Sequence, residues 1–188
     1  EQARKSGAEK IVAVMSGNYV QRGDTAIISK FQRTLQALEN GVDLVCELPT
    51  YWAMANAQKF SQGAIEVLEN IGVDTLIFGS ECGNIEQLRE TAEIIEKCAI
   101  TCADDINGLL KMGYTYPKAL NSIVMRKSIE AAEIISEPNN LLAIEYMRAM
   151  KRFTPKMKAF TIKRKNASHD SMFIKDEYAS ASYLREAI

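Results

Sequence analysis

Three junctions of one kind constrain this chain more than any other feature. Ala3 to Val14 reads A-R-K-S-G-A-E-K-I-V-A-V, Leu38 to Leu48 reads L-E-N-G-V-D-L-V-C-E-L, and Leu68 to Phe78 reads L-E-N-I-G-V-D-T-L-I-F. In each, a Gly follows a segment of helical periodicity, where the chain must take a left-handed turn that a Cβ resists. In each, the Gly then runs into a short stretch rich in Ile, Val and Leu. Near-continuous apolar strands are buried on both faces, which calls for a parallel sheet covered by helices. Helix and strand alternating in this way predicts stacked crossover units, an α/β fold with a doubly wound parallel sheet.

The helices carry their own start signals. Ser29 with Gln32 forms an S-x-x-Q capping pattern ahead of Phe31, Leu35 and Leu38, and Asn84 with Gln87 repeats the device ahead of Leu88, Ile94 and Ile95. Residues 84 to 132 read as helix, with breaks near Thr101 and from Gly113 to Pro117. That is too much helix for one crossover, so residues 84–135 are expected to form a helical insertion. A helix is expected over Asn140 to Arg152, a strand over Met157 to Ile162, and a last helix from about Ser180. Glu1 falls inside a helical pattern that a strand should precede, and in doubly wound sheets that first strand-to-helix turn binds phosphate.

The 188 residues suffice for one domain with a sizeable core, and the formal charge of −1 means that any nucleic-acid binding must come from a local patch. Cys46, Cys82, Cys98 and Cys102 form no C-x-x-C pair, and with His169 the single histidine, no zinc site is expected. Cys46, inside an apolar run, is expected to be a buried thiol. Such cysteine usage fits a reducing cytosol. No signal peptide and no apolar run of the roughly 18 residues needed for a membrane span occurs, so a soluble, cytoplasmic protein is expected.

Several segments have a plain and a functional reading. Met15 to Asp24, M-S-G-N-Y-V-Q-R-G-D, leaves the C-terminal end of the first strand, where open α/β sheets place ligands. Gly17 and Gly23 permit tight backbone, Asn18 and Gln21 offer amides, and Arg22 could grip a phosphate or carboxylate. The plain reading is a polar surface turn. Gly79, in Phe78-Gly79-Ser80-Glu81, could admit a ligand to the backbone at a strand exit or simply end the strand in a turn. Asn139 could cap the helix opened by Glu137-Pro138 or present its amide to a nucleotide.

Lys151, Arg152, Lys156, Lys158, Lys163, Arg164 and Lys165 concentrate positive charge in one short stretch. They fit phosphates of ATP or RNA, or equally a lysine-guarded edge strand. Ser180, Ser182 and Arg185, in Y-A-S-A-S-Y-L-R, would gather hydroxyls, helix N–H groups and a guanidinium around an anion, or form an ordinary Ser-capped helix. His169-Asp170 suggests acid–base chemistry only weakly, because neighbours in sequence need not face each other.

In their order, M-S-G-N-Y-V-Q-R-G-D, E-N-G-V-D-L-V-C-E-L-P, F-G-S-E, E-P-N-N-L-L-A-I-E-Y and S-A-S-Y-L-R resemble the tRNA(Met) cytidine acetate ligase family. That family lies within the HIGH-type nucleotidyltransferase superfamily, with its Rossmann-like sheet. The resemblance implies activation of acetate with ATP to acetyladenylate and pyrophosphate, then transfer of the acetyl group to N4 of the wobble cytidine of elongator tRNA(Met). It implies ATP contacts at Gly79, Asn139 and Arg164. It likens Ser180, Ser182 and Arg185 to the I-S-S-T-x-I-R phosphate motif, with Ala179 and Leu184 as departures. It leaves Gly17, Asn18, Gln21 and Arg22 as a candidate substrate loop and Lys151, Arg152, Lys156 and Lys158 as candidate tRNA contacts. Mg²⁺ is the expected metal, bridging phosphates and needing few protein ligands.

The family's first strand and H-x-G-H loop are expected before Glu1, with the catalytic residues, and a further region after the Ser/Arg helix. Residues 1–188 are therefore expected to be one nucleotidyltransferase-like domain, incomplete at its N-terminus and inactive alone. Two rivals remain at this level: an adenylyltransferase acting on a small phosphorylated metabolite, and a non-catalytic nucleotide- or RNA-binding module.

Overall fold

The computed structural model describes residues 2–21 and 23–164. The chain divides into two compact units, one of Glu1–Ile77 with Ala149–Ala159 and one of Phe78–Arg148 with Phe160–Ile188.

The first unit starts with a short helix α1 (Gln2–Lys5) and strand β1 (Val12–Ser16), followed by helix α2 (Lys30–Glu39) and strand β2 (Leu44–Leu48). β1 and β2 pair in parallel, with Val12 opposite Leu44 and Ser16 opposite Leu48. Ser29 caps α2 by accepting the Gln32 N–H at 3.2 Å, as its spacing predicts. Gly41 ends that helix with φ at 92°, the left-handed turn expected at the helix-to-strand junction. Asp43, two residues on, accepts the Ile11 N–H at 2.7 Å and pairs with Arg4, tying the start of β2 to the approach to β1.

The one-turn helix α3 (Thr50–Ala53) and helix α4 (Ala57–Ile71) complete this part. Asn56 caps α4 through the Lys59 N–H, and Gly72 closes it at φ 85°. Ser61, Ala64, Ile65 and Leu68 form its buried stripe, spaced at the intervals that put residues on one helix face. Ile65 and Leu48 are completely buried, each contributing on the order of 1.5–3 kcal/mol over exposure.

The strands are less enclosed than their apolar sequences imply. Leu44 is 45% exposed, and on α2 Phe31, Leu35 and Leu38 are exposed together. Cys46 is half-buried, not enclosed as its apolar surroundings suggest. It lies beside Glu47, whose carboxyl reaches outward to Lys30.

Strand β3 (Thr75–Ser80) pairs with strand β4 (Lys158–Lys163). Lys158 donates its N–H to Asp74 O at one end and Arg164 to Ser80 O at the other, so both strands run in the same direction. The division into units passes through both strands and through helix α9 (Pro138–Phe153).

The second unit is mainly helical. Helices α5 (Ile85–Thr101), α6 (Ala103–Lys111), α7 (Tyr116–Met125) and α8 (Ile129–Ser136) precede α9. Asn84 caps α5 by accepting the Glu86 and Gln87 N–H groups. α5 stops at Cys102, and Gly113 and Pro117 mark the entry to α7, close to the breaks read in the sequence. Leu88, Ile95, Ile123, Val124 and Ile144 are buried here.

Glu145 is buried beside Arg148, which it meets at 2.7 Å; burial pushes its carboxyl above the ordinary range against the pull of that guanidinium. Burial also pushes the Tyr146 hydroxyl up to about 12, and its ring rests on Phe78.

The protein is thus an α/β protein with parallel strands. Among the described residues, no helix is long and apolar enough to cross a membrane.

Candidate functional site

Three chain segments converge in the second unit: the end of β3, the end of β4 and the start of α9. Ser80 is completely buried, and its hydroxyl lies 2.6 Å from that of Thr161 on β4. The same Ser80 oxygen accepts the Gly83 N–H at 3.0 Å, folding the chain back as it leaves the strand. The Arg164 N–H bonds to Ser80 O at 2.9 Å, which fixes the root of the arginine beside the end of β3.

Gly79 is exposed and lies within the strand, not in a turn beyond it. A Cβ at this position would stand 3.3 Å from Arg164 Cγ. The arginine stem therefore lies across the bare backbone of Gly79, and both face outward. Here two residues distant in sequence, each singled out from it, are neighbours.

Asn139 reaches this junction through Glu81. The Glu81 carboxylate accepts the Asn139 backbone N–H at 3.2 Å, the Asn139 side-chain amide at 2.6 Å and the Asn140 N–H at 2.7 Å. Asn139 is thus not the N-cap of α9. Pro138 opens the helix, so Asn139 sits within its first turn, and the carboxylate of Glu81, one residue past β3, supplies the acceptor that a cap would. The bond is reciprocated one residue on, where the buried Asn140 side chain accepts the Cys82 N–H at 3.0 Å.

Glu81, Cys82, Asn140, Lys163 and Arg164, with Gln87, Glu130, Glu133, Ile134 and Glu137, line an open cleft of about 460 Å³. Its charges are mixed, with two cations at the β4 end against carboxylates from the helices. The arrangement can bind a polar molecule that brings both an anionic part, for the cations, and hydrogen-bonding groups. Among the described residues that line it, none pairs a nucleophile with a base.

In the first unit, the loop after β1 is a tight hairpin. Tyr19 bridges Thr25, Ala26 donates to Asn18 O, and Gly23 turns the chain at φ 79°. Arg33 of α2 holds its base, donating to the carbonyls of Ser16, Gly17 and Ile28. Gly17 is buried, packed on the Glu47 carboxyl, which pairs with Lys30 at 2.6 Å. Asn18 and Gln21 are exposed on the hairpin, whereas Arg22 lies outside the described residues.

Lys151, Arg152, Lys156 and Lys158 are all exposed, at the end of α9 and the start of β4, with Arg152 stacked over Phe153. Ser180, Ser182, Arg185, Lys165 and His169 lie outside the described residues.

Nothing in the sequence marks the roles of Glu81, Glu47 and Asn140, which stand inside motifs, or of Arg33 and Thr161, which do not. The Glu81–Asn139 contact joins residues 58 positions apart, beyond the reach of any local spacing. Arg33 differs in no visible way from the other polar residues of an amphipathic helix.

A parallel α/β fold with an outward-facing Gly–Arg pair at its strand ends sets these residues where open α/β sheets place their ligands. The family model described as HIGH Nucleotidyl Transferase matches residues 1–188, and the chain belongs to that family. It is 41% identical over 184 residues to the tRNA(Met) cytidine acetate ligase of Caldicellulosiruptor bescii, covering 97% of this chain and 46% of that relative. The Acetivibrio thermocellus tRNA(Met) cytidine acetate ligase is 40% identical over 193 residues, 100% of this chain and 46% of its own length.

Among solved structures, apo Thermotoga maritima TmcAL superposes with a TM-score of 0.87 at 33% identity, covering 98% of this chain and 45% of that one. The same protein bound with alpha-thio ATP gives 0.83 at 32% identity, covering 98% and 44%. The chain thus spans just under half the length of the curated relatives it matches.

Proposed function

We propose that this chain forms the nucleotide-binding wall of an ATP-dependent ligase that activates acetate and acetylates N4 of the wobble cytidine of elongator tRNA(Met). One observation of the structure carries this reading: Arg164 lies across the open backbone of Gly79, with Asn139 tied to the same junction. The names of the relatives and the ATP analogue bound to the Thermotoga maritima protein support it.

Chemically, an acetate oxygen attacks the α-phosphorus and pyrophosphate leaves; the N4 amine then attacks the acyl carbon, expelling AMP. Both steps gather charge on oxygen, so positioned cations and N–H donors serve them better than a protein nucleophile. Arg164 is assigned to the phosphates, Gly79 to close approach of the nucleotide, and Asn139 to a polar nucleotide contact. Ser180, Ser182 and Arg185 are assigned to phosphate, and Gly17, Asn18, Gln21 and Arg22, of the segment that follows β1 in the sequence, to substrate. Mg²⁺ would arrive on the triphosphate, where it neutralises charge. Among the described residues no three His, Cys, Asp or Glu side chains stand together as a metal site.

We read the chain as one nucleotidyltransferase-like domain in which α5–α8 are an insertion, working in the cytoplasm where tRNA is modified. The exposed Lys151, Arg152, Lys156 and Lys158 are assigned to the tRNA backbone. Replacing all four by Ala should weaken tRNA binding and flatten its salt dependence, each lost phosphate contact removing roughly 0.7–0.9 from the log–log slope. An unaltered slope rejects that assignment.

The reading as a whole is tested by ATP–pyrophosphate exchange in the complete protein. Exchange is expected to require acetate. Exchange indifferent to acetate would leave an adenylyltransferase acting on another substrate, and no exchange at all a binding module.

A further inference from the structure

We infer that Glu81 is a positioning residue that decides which end of the Asn139 amide faces the nucleotide, and that Asn139 Oδ1 consequently reads a hydrogen-bond donor of the nucleoside. The inference rests on the assignment of Asn139 as a nucleotide contact.

A carboxylate only accepts hydrogen bonds. With Glu81 Oε1 2.6 Å from the Asn139 side-chain amide, the atom facing it must be the NH₂ group, and Oδ1 must face the other way. Among the described residues that oxygen accepts from no group. It is therefore an acceptor held ready for a ligand, and the ligand must bring an N–H or O–H to it. Phosphate oxygens at neutral pH carry no such proton. A ribose hydroxyl or the exocyclic amine of adenine does.

The same carboxylate closes the other option. The start of a 16-residue helix ordinarily attracts anions, but here the Asn139 and Asn140 N–H groups both end on Glu81. The anion seat is taken by the protein's own carboxylate. Phosphates are left to the cations at the end of β4, and the α9 side of the site is left to the nucleoside. The geometry is pinned, since Asn140, 2% exposed, grips the Cys82 N–H next to Glu81 in the chain.

The test is calorimetry on the complete protein with ATP, 2′-deoxy-ATP, 3′-deoxy-ATP and purine riboside triphosphate, which lacks the exocyclic amine. The wild type should bind one analogue about tenfold more weakly than ATP, the value of one hydrogen bond to a positioned acceptor; which analogue it is tells hydroxyl from amine. Asn139→Ala should weaken ATP and abolish discrimination against that analogue. Glu81→Gln, whose own amide can turn and let Asn139 turn with it, should abolish the same discrimination. Glu81→Asp, still an acceptor only, should keep it.

A Glu81→Gln protein that binds ATP and every analogue more weakly by one common factor would show a helix cap and nothing more, overturning the inference. Equal losses for all four nucleotides in Asn139→Ala would overturn it too. If Glu81→Gln does not fold, Glu81→Asp decides: losing the discrimination together with Asn139→Ala contradicts the inference. Unchanged ATP affinity in Asn139→Ala would instead sink the assignment of Asn139 to the nucleotide.

Discussion

Arg164 lies across Gly79, so close that a Cβ on the glycine would stand 3.3 Å from Arg164 Cγ. Gly79 is exposed and has ordinary extended-strand backbone, so a side chain there strains nothing locally and acts on its neighbour. Gly79→Ala should shift the arginine by a few tenths of an ångström and raise the ATP Kd of the complete protein a few-fold, roughly 0.5–1 kcal/mol. Gly79→Leu should raise it more than about tenfold with little change in melting temperature. Wild-type affinity in Gly79→Leu would show that nucleotide does not approach here.

Two other glycines should respond differently to alanine. On a helix such as α4, Gly63→Ala would ordinarily gain about 1 kcal/mol. A Cβ there, however, would stand 2.6 Å from Trp52 Cβ and 2.3 Å from its Cγ, atoms at the root of a large ring. Overpacking of about 1–3 kcal/mol should win and lower the urea midpoint. Gly17→Ala meets the tip of the Glu47 side chain, which is half exposed and can swing away. It should cost under about 1 kcal/mol, mostly the exposed Lys30–Glu47 pair. A Gly63→Ala protein at least as stable as Gly17→Ala contradicts this packing.

Asp43 sets an acid limit. The Ile11 N–H and then the Arg4 guanidinium hold its carboxyl below the ordinary value of 3.8. A carboxyl lowered in the folded state contributes stability above its unfolded value and loses it as pH falls through the folded one. The urea midpoint of Asp43→Asn should therefore lie below wild type at neutral pH, with the gap closing below about pH 3.8. A gap that stays constant into acid would mean the carboxylate's charge is irrelevant.

The elements were legible in the sequence because each signal was local. Gly41 and Gly72 take left-handed turns at the junctions from which β2 and β3 follow, and Ser29 and Asn84 cap the helices they precede. Of the candidate site, Gly79 in F-G-S-E and Arg164 in the basic stretch could be picked out locally, but not the contacts that bring them together. The Glu81 carboxylate replaces Asn139 as the cap of α9, and Ser80 binds Thr161 across two strands. Such contacts depend on which strands pair, and neither periodicity nor capping patterns encode that. The exposure of Phe31, Leu35 and Leu38 was equally illegible, because an apolar stripe reads the same whether or not it is covered.

If ATP is received at this junction of β3, β4 and α9, Arg164 is where its loss should show most directly. Its backbone N–H, not its side chain, makes the bond to Ser80, so Arg164→Ala leaves that strand contact in place. Calorimetry of ATP binding to the complete Arg164→Ala protein should give a Kd at least about tenfold above wild type, as for loss of a charge-assisted contact to phosphate. Unchanged affinity would contradict the account and leave Arg164 as no more than a charge at the end of a strand.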